Sequence, residues 1–138
     1  MGIKQISVFL ENTTGRLSEV TKTLAVAGVN LRAISIADTA DFGILRLIVN
    51  NNEEAIDALV SAGFTTRQTD VVAVEIEDVP GSLSKLMEIF KNSQVNIEYL
   101  YASLEGKGGK AIVIFKLQDH EKGLKILNEN NFKLADGF

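Results

Sequence analysis

The chain has 138 residues, no cysteine and a formal charge of −4 at pH 7. Without cysteine there is no disulfide framework, no thiolate metal site and no cysteine nucleophile. Lysine and arginine are scattered singly along the chain, which argues against nucleic acid as a partner because phosphate-backbone binding rests on clustered cations. No apolar run approaches the roughly 18 residues needed to span a membrane, and Met1 to Gln5 leads straight into a strand pattern rather than a signal peptide. A cytoplasmic location is expected.

Ile6, Val8 and Leu10 alternate with Ser7 and Phe9, the period of a strand with one buried face. Asn12-Thr13-Thr14-Gly15 then offers Asx and Ser/Thr capping chemistry. Leu17, Val20, Thr21 and Leu24 follow at helical spacing until Gly28 stops the helix. Asn30 to Ala37 and Phe42 to Val49 are rich in Ile, Leu and Val and read as strands two and three, with Asp38-Thr39-Ala40-Asp41 as their hairpin connection. Leu45, Leu47 and Val49 can face the helices, which leaves Ile44 and Ile48 on an outer face that is partly apolar. Open sheet faces are normally polar, so a cover is expected there, the other half of the chain or a second chain. Asn52-Glu53-Glu54 places acidic residues in the first turn of a second helix, where they complement its dipole. Ile56, Leu59 and Val60 form the apolar stripe of that helix up to Gly63. Thr65 to Gln68 supplies a short fourth strand.

The chain then repeats itself. Glu11-Asn12-Thr13-Thr14-Gly15-Arg16-Leu17-Ser18 returns as Glu77-Asp78-Val79-Pro80-Gly81-Ser82-Leu83-Ser84, and Val29-Asn30-Leu31 returns as Val95-Asn96-Ile97, both at an offset of 66. Beyond Lys107 the offset becomes 68, pairing Ile56 with Leu124, Leu59 with Leu127 and Phe64 with Phe132. A two-residue insertion in one loop of the second copy explains the shift. Strands at Val72 to Ile76, Asn96 to Ser103, Ala111 to Leu117 and Phe132 to Leu134, with helices at Leu83 to Phe90 and Glu121 to Asn128, complete the second copy. Each half is therefore βαββαβ, and the fold class is α+β: two tandem ferredoxin-like units, residues 1–69 and 70–138, each an antiparallel sheet with both helices on one face. Only Thr69-Asp70 separates strand four from the next strand one, so the halves are expected to touch.

In both copies a strand ends, a glycine turn follows and a helix begins, leaving unpaired backbone N–H groups that favour a carboxylate or phosphate. Every helix has an amino terminus, however, and glycine also serves simply to make a turn. Asn30 and Asn96 open strand two and are expected beside the mouth of this cradle. An amide there suits a zwitterion because it both donates and accepts; it equally serves to cap a turn. His120, the single histidine, lies between Asp119 and Glu121 and is expected on the surface, without the further ligands of a zinc site. Gly106-Lys107-Gly108-Gly109-Lys110 lacks the spacing of a P-loop and reads as a hairpin. No nucleophile, metal set or cofactor motif is present, so a non-catalytic protein without cofactor is expected.

Glu77-Asp78-Val79-Pro80-Gly81-Ser82-Leu83 followed by Gln94-Val95-Asn96-Ile97 in a βαββαβ frame resembles an ACT domain. Asn12-Thr13-Thr14-Gly15-Arg16-Leu17 with Gly28-Val29-Asn30-Leu31 resembles it as well, so that two copies cover almost the whole chain. The resemblance implies a small regulatory module that binds an amino acid at an interface between paired copies, with the loop before helix one meeting the ligand carboxylate. Carried over by position, the ligand-binding residues would be Asn12, Thr13, Thr14, Gly15, Arg16 and Leu17 in copy one, Asp78, Val79, Pro80, Gly81, Ser82 and Leu83 in copy two, and Asn30 and Asn96 at strand two. The proline of the family motif is present as Pro80 but is Thr14 in copy one. Asn12 can donate to a carboxylate, whereas Asp78 would repel one, which favours the first loop. Ile34, Ser35 and Ile36, or Leu100, Tyr101 and Ala102, are candidates to shape specificity from a facing strand two, with Tyr99 and Tyr101 offering aromatic contact or serving as ordinary strand residues. Implied partners are the amino acid, a second copy of the chain as a homodimer, and a separate metabolic enzyme or regulator. The alternative is a ligand-free assembly module that keeps the fold and pairs through its apolar outer faces.

Overall fold

The computed structural model describes residues 2–38, 41–104 and 108–135. In chain order the elements are β1 (Ile3–Glu11), α1 (Arg16–Val26), β2 (Leu31–Asp38), β3 (Phe42–Val49), α2 (Asn52–Ser61), β4 (Thr65–Glu77), α3 (Ser82–Asn92), β5 (Ile97–Ala102), β6 (Lys110–Leu117), α4 (His120–Glu129) and β7 (Lys133–Leu134). The chain divides into two compact units, residues 4–69 and residues 70–135, with residues 2 and 3 belonging to the second. The fold is α+β and ferredoxin-like in both.

In the first unit the strand order is β2-β3-β1-β4. β3 is central and antiparallel to both neighbours, with Val8 opposite Leu45 on one side and Ile36 opposite Leu45 on the other. Alternate strand residues Ile6, Val8, Leu10, Leu45, Leu47 and Val49 share one core with Val20 and Leu24 of α1 and Ala55 and Leu59 of α2. Strand side chains of a single parity therefore meet both helices, which places α1 and α2 on the same face. α1 ends at Ala27 with Gly28 at φ +74; the Gly28 amide donates to the Ala25 carbonyl and the Val29 amide to that of Leu24. α2 starts from Asn51, whose side chain accepts from the Glu54 amide at 3.1 Å.

The second unit repeats the plan with order β7-β4-β6-β5. Val72, Val74, Val113, Phe115 and Leu117 join Leu86 and Phe90 of α3 and Leu124 and Leu127 of α4 in its core. Phe90 meets Phe115 edge to face, ring centres 5.5 Å apart. Asp119 caps α4 by accepting from the Lys122 amide at 3.1 Å.

Four expectations are corrected. Thr65 to Gln68 and Val72 to Ile76 are not two strands: β4 runs unbroken through Thr69-Asp70 for 13 residues, because nothing between Thr65 and Glu77 is glycine, proline or a turn-former strong enough to stop an extended run. In α1 Leu17 is 42% exposed, and in α2 Val60 is 55% exposed while Ala55 takes the buried place. Both leucine and valine were assigned by spacing at the margin of the stripe, and the helix rotation favours the other edge. His120 is half-buried rather than on the surface, its Nδ1 enclosed without a hydrogen bond among the described residues. Of the outer-face aliphatics of β3, Ile48 is buried outside the helix-facing core and Ile44 is half-buried. The connections Thr39-Ala40 and Glu105-Gly106-Lys107 lie outside the described residues.

Gly123 sits inside α4, where alanine is intrinsically better by about 1 kcal/mol. A Cβ there would clash with Cδ1 of Leu117, a fully buried side chain. Gly123→Ala is therefore expected to lower stability by about 1–3 kcal/mol in denaturant unfolding, and by less in a Leu117→Ala background.

Candidate functional site

The site begins where β1 stops. Asn12 donates its amide to the Asp41 carbonyl at 3.0 Å, Thr13 to Glu11 at 2.9 Å, and Arg16 to Thr13 at 3.4 Å. Gly15 stands at φ +89, ψ −10, a left-handed position that glycine occupies without steric cost. It precedes α1 with no side-chain cap, and the first amide of the helix to find a helical acceptor is Glu19, on the Gly15 carbonyl at 3.0 Å. The amides of Thr14, Gly15, Leu17 and Ser18 have no hydrogen-bond partner among the described residues. Exposed N–H groups at the positive end of a helix dipole form an anion cradle.

The second loop is its close copy. Asp78 donates to the Gly109 carbonyl at 2.8 Å, Ser82 to Val79 at 3.3 Å and Lys85 to Gly81 at 3.0 Å. Gly81 has φ +90, ψ −13, again without a side-chain cap. Free amides remain on Gly81, Leu83 and Ser84 among the described residues, and Pro80 has none to offer. A Cβ on either glycine would meet nothing within 4 Å, so both loops border open space at the glycine.

The carried-over side chains do not all gather here. Thr13, Thr14, Val79, Pro80 and Leu83 are exposed around the two loops, as is Leu17. Arg16 turns away along the helix: it pairs with Glu19 at 2.7 Å, and its guanidinium carbon lies 4.7 Å from the centre of the Phe64 ring. Asn30 is tied to the other end of its sheet, its amide taking the Asn50 side-chain oxygen at 3.0 Å and its carbonyl accepting from the Asn50 amide at 3.2 Å. Glu11, which leads into the cradle, pairs with Phe42, whereas Leu31 pairs with Val49. The run from Phe42 to Val49 spans about 23 Å at the rise of an antiparallel strand. The second unit is the same: Glu77 pairs with Lys110, while Asn96 accepts from the Gln118 amide at 2.9 Å, beside the pairing of Ile97 with Leu117.

Asn30 and Asn96 are thus not beside the cradle of their own unit. The reason is the chain path. Helix one returns the chain to the end where strand one began, so the residue that opens strand two must lie far from where strand one stops. Asn96 instead lines a groove of about 530 Å³ with Gln94, Gln118 and His120. Tyr99 and Tyr101 stack on one face of β5 with ring centres 6.5 Å apart, Tyr101 being buried. Among the described residues no cluster of three or more His, Asp or Glu could hold a metal, and no helix is long and apolar enough to cross a membrane.

Two α+β units of ferredoxin-like plan, each with a glycine turn between its first strand and first helix, define a tandem pair of one small module. A family profile described as the ACT domain pair matches residues 1–137, and the chain belongs to that family. Among solved structures it is similar to protein BT0572 from Bacteroides thetaiotaomicron, with 40% identity and a TM-score of 0.92 over 98% of this chain and 92% of that one. It is also similar in fold to the regulatory subunit of aspartate kinase from Thermus thermophilus, with 20% identity and a TM-score of 0.67 over 93% and 92% of the two chains. A further likeness is to E. coli aspartokinase III in complex with lysine and aspartate, with 16% identity and a TM-score of 0.54 over 94% of this chain and 31% of that one. No curated protein matches the chain.

Because the left-handed backbone of both loops rests on glycine, Gly15→Ala and Gly81→Ala are each expected to cost about 1–2 kcal/mol through strain alone. Equilibrium denaturation checks this, and equal losses at the two sites would show that Thr14 and Pro80 matter less than the glycine that follows each.

Proposed function

We propose that the protein is a non-catalytic regulator that binds a free amino acid at the loops between strand one and helix one, in a pocket completed by a paired copy of the fold. The observation that carries this reading is the duplicated cradle: two loops of nearly identical backbone conformation, each offering free amides beside open space. Such amides suit the carboxylate that every free amino acid carries. The first loop is the better carboxylate site, since Asn12 stands where the second has Asp78.

The register supports the involvement of two copies. An asparagine held at the far end of its own sheet reaches a cradle only when it is presented by another copy, so Asn30 and Asn96 serve the partner of a pair, and a homodimer of the chain is one source of that pair. The comparisons support the ligand class and the role. Proteins of this fold include a regulatory subunit of aspartate kinase and an aspartokinase holding lysine and aspartate. A cytoplasmic metabolic enzyme or regulator is the partner whose state the ligand would change, by preferring one of its conformations.

A second reading is an assembly module without a small ligand. It is favoured by the exposure of Phe9 (41%) and Phe42 (60%), which lie on the outer face of the paired strands β1 and β3. Thermal unfolding against the twenty amino acids separates the two. A ligand present at about 100 times its dissociation constant adds ~2.7 kcal/mol of stability, and the expected result is a selective upward shift with one or a few amino acids. Gly15→Asp, folded by circular dichroism, is expected to abolish that shift by placing a carboxylate in the cradle, while Gly15→Asn, equally strained but neutral, retains it. Absence of any shift at millimolar concentrations would leave the assembly reading in its place.

A further inference from the structure

We infer that the second unit carries a binding groove of its own for a small carboxylate with a short apolar body, lying between the start of α3 and the segment that enters β7. The cavity has a volume of about 510 Å³, and Ile76, Ile89 and Phe132 give it an apolar floor. Ser82, Lys85 and Asn131 also line it, and none of these three side chains has a hydrogen bond or ion pair among the described residues. Ser82 and Lys85 are three residues apart on α3 and so stand on one face of the helix. The other two lysines of the lining are already held, Lys133 by Glu75 at 3.4 Å and Lys110 by Glu77. Lys85 is therefore the cation left for an incoming anion, with the Ser82 hydroxyl as a second donor and the Asn131 amide as a third.

The first unit shows the same place closed. Where the second unit has Ser82 it has Arg16, packed over Phe64, the counterpart of Phe132. Where the second has Lys85 it has Glu19, which takes the Arg16 guanidinium at 2.7 Å. Nε of Arg16 is buried without a hydrogen bond, as befits a side chain wedged into a gap. The groove of the first unit begins further along the helices, at Glu19, Val26, Ala62 and Phe64, and Arg16 is not part of its lining. Two differences between the copies thus open the groove of the second unit and replace a neutral ion pair by a single positive charge. The groove lies wholly within that unit and needs no paired copy, although it shares Ser82 with the second loop.

The test is a titration of the full chain, followed by amide ¹⁵N–¹H spectra, with isovalerate and separately with leucine. The expected result is saturable movement of the Ser82, Lys85 and Phe132 amides with at least one of them. Isovalerate alone points to an organic acid, and leucine alone to an amino acid whose ammonium also meets Glu75 or Glu77. Lys85→Gln is expected to weaken binding at least tenfold, and Ser82→Arg combined with Lys85→Glu, which rebuilds the plug of the first unit, to abolish it. No movement with either probe, or unchanged affinity in Lys85→Gln, would overturn the proposal.

Discussion

The register of the central strand in each unit constrains everything else. β3 is paired antiparallel on both sides, to β1 and to β2, and β6 is paired in the same way to β4 and β5. A slip of one residue would turn Leu45, Leu47 and Val49 away from α1 and α2 and put Ile44, Arg46 and Ile48 beneath the helices, so burial of the core fixes the pairing. The pairing in turn fixes which loops share an end of the sheet. A cradle at the end of strand one and an asparagine at the start of strand two are then separated by the length of the central strand, whatever their side chains prefer. The proposed contribution of a second copy rests on this geometry and on no particular contact.

Within the cradle the backbone matters more than the side chains. The loops differ at nearly every position, Asn12-Thr13-Thr14 in one and Asp78-Val79-Pro80 in the other, yet Gly15 and Gly81 agree within about a degree in φ and three in ψ. Pro80 presets its own φ and lacks an N–H. Thr14 reaches the same loop without that restraint, so the glycine, which alone enters the left-handed region freely, sets the conformation. A site made of main-chain donors tolerates such drift because the ligand meets amides that every sequence supplies.

Most of the fold was legible because its signals are periodic and occur twice. Alternation in strands one and three, helical spacing after each glycine turn, and the offsets of 66 and 68 each point to the same βαββαβ plan, and only the margins of the helical stripes, at Leu17 and Val60, were misassigned. The junction at Thr69-Asp70 was harder, since the end of a repeat need not be the end of a strand. The candidate residues stand out in the sequence, but their places in the fold do not. Asn30 and Asn96 are conspicuous in sequence, yet where they sit depends on the direction in which strand two returns, and no local pattern records that. The contact of Arg16 with Phe64 was hidden for a similar reason: the two are far apart in sequence, and the one available signal was that the position of Arg16 becomes serine in the second copy.

That signal belongs to a broader pattern. Positions that fill the two cores keep their character between copies, as with Leu24 and Phe90, Val49 and Leu117, or Leu59 and Leu127. Removing such a side chain costs about 2–5 kcal/mol, a large share of what holds a small unit folded. Around the cradles and the adjoining helix face the copies instead exchange charge: Asn12 for Asp78, Arg16 for Ser82, Glu19 for Lys85. These residues carry little of the folding energy, so the fold leaves them free to change, and the changes alter the charge beside each loop. One backbone therefore presents two chemically distinct surfaces, a closed helix face with an amide-flanked loop in the first copy and an open, lysine-bearing groove in the second. On the proposed reading, ligand selectivity would be a property of the difference between the copies, since the backbone they share is the same.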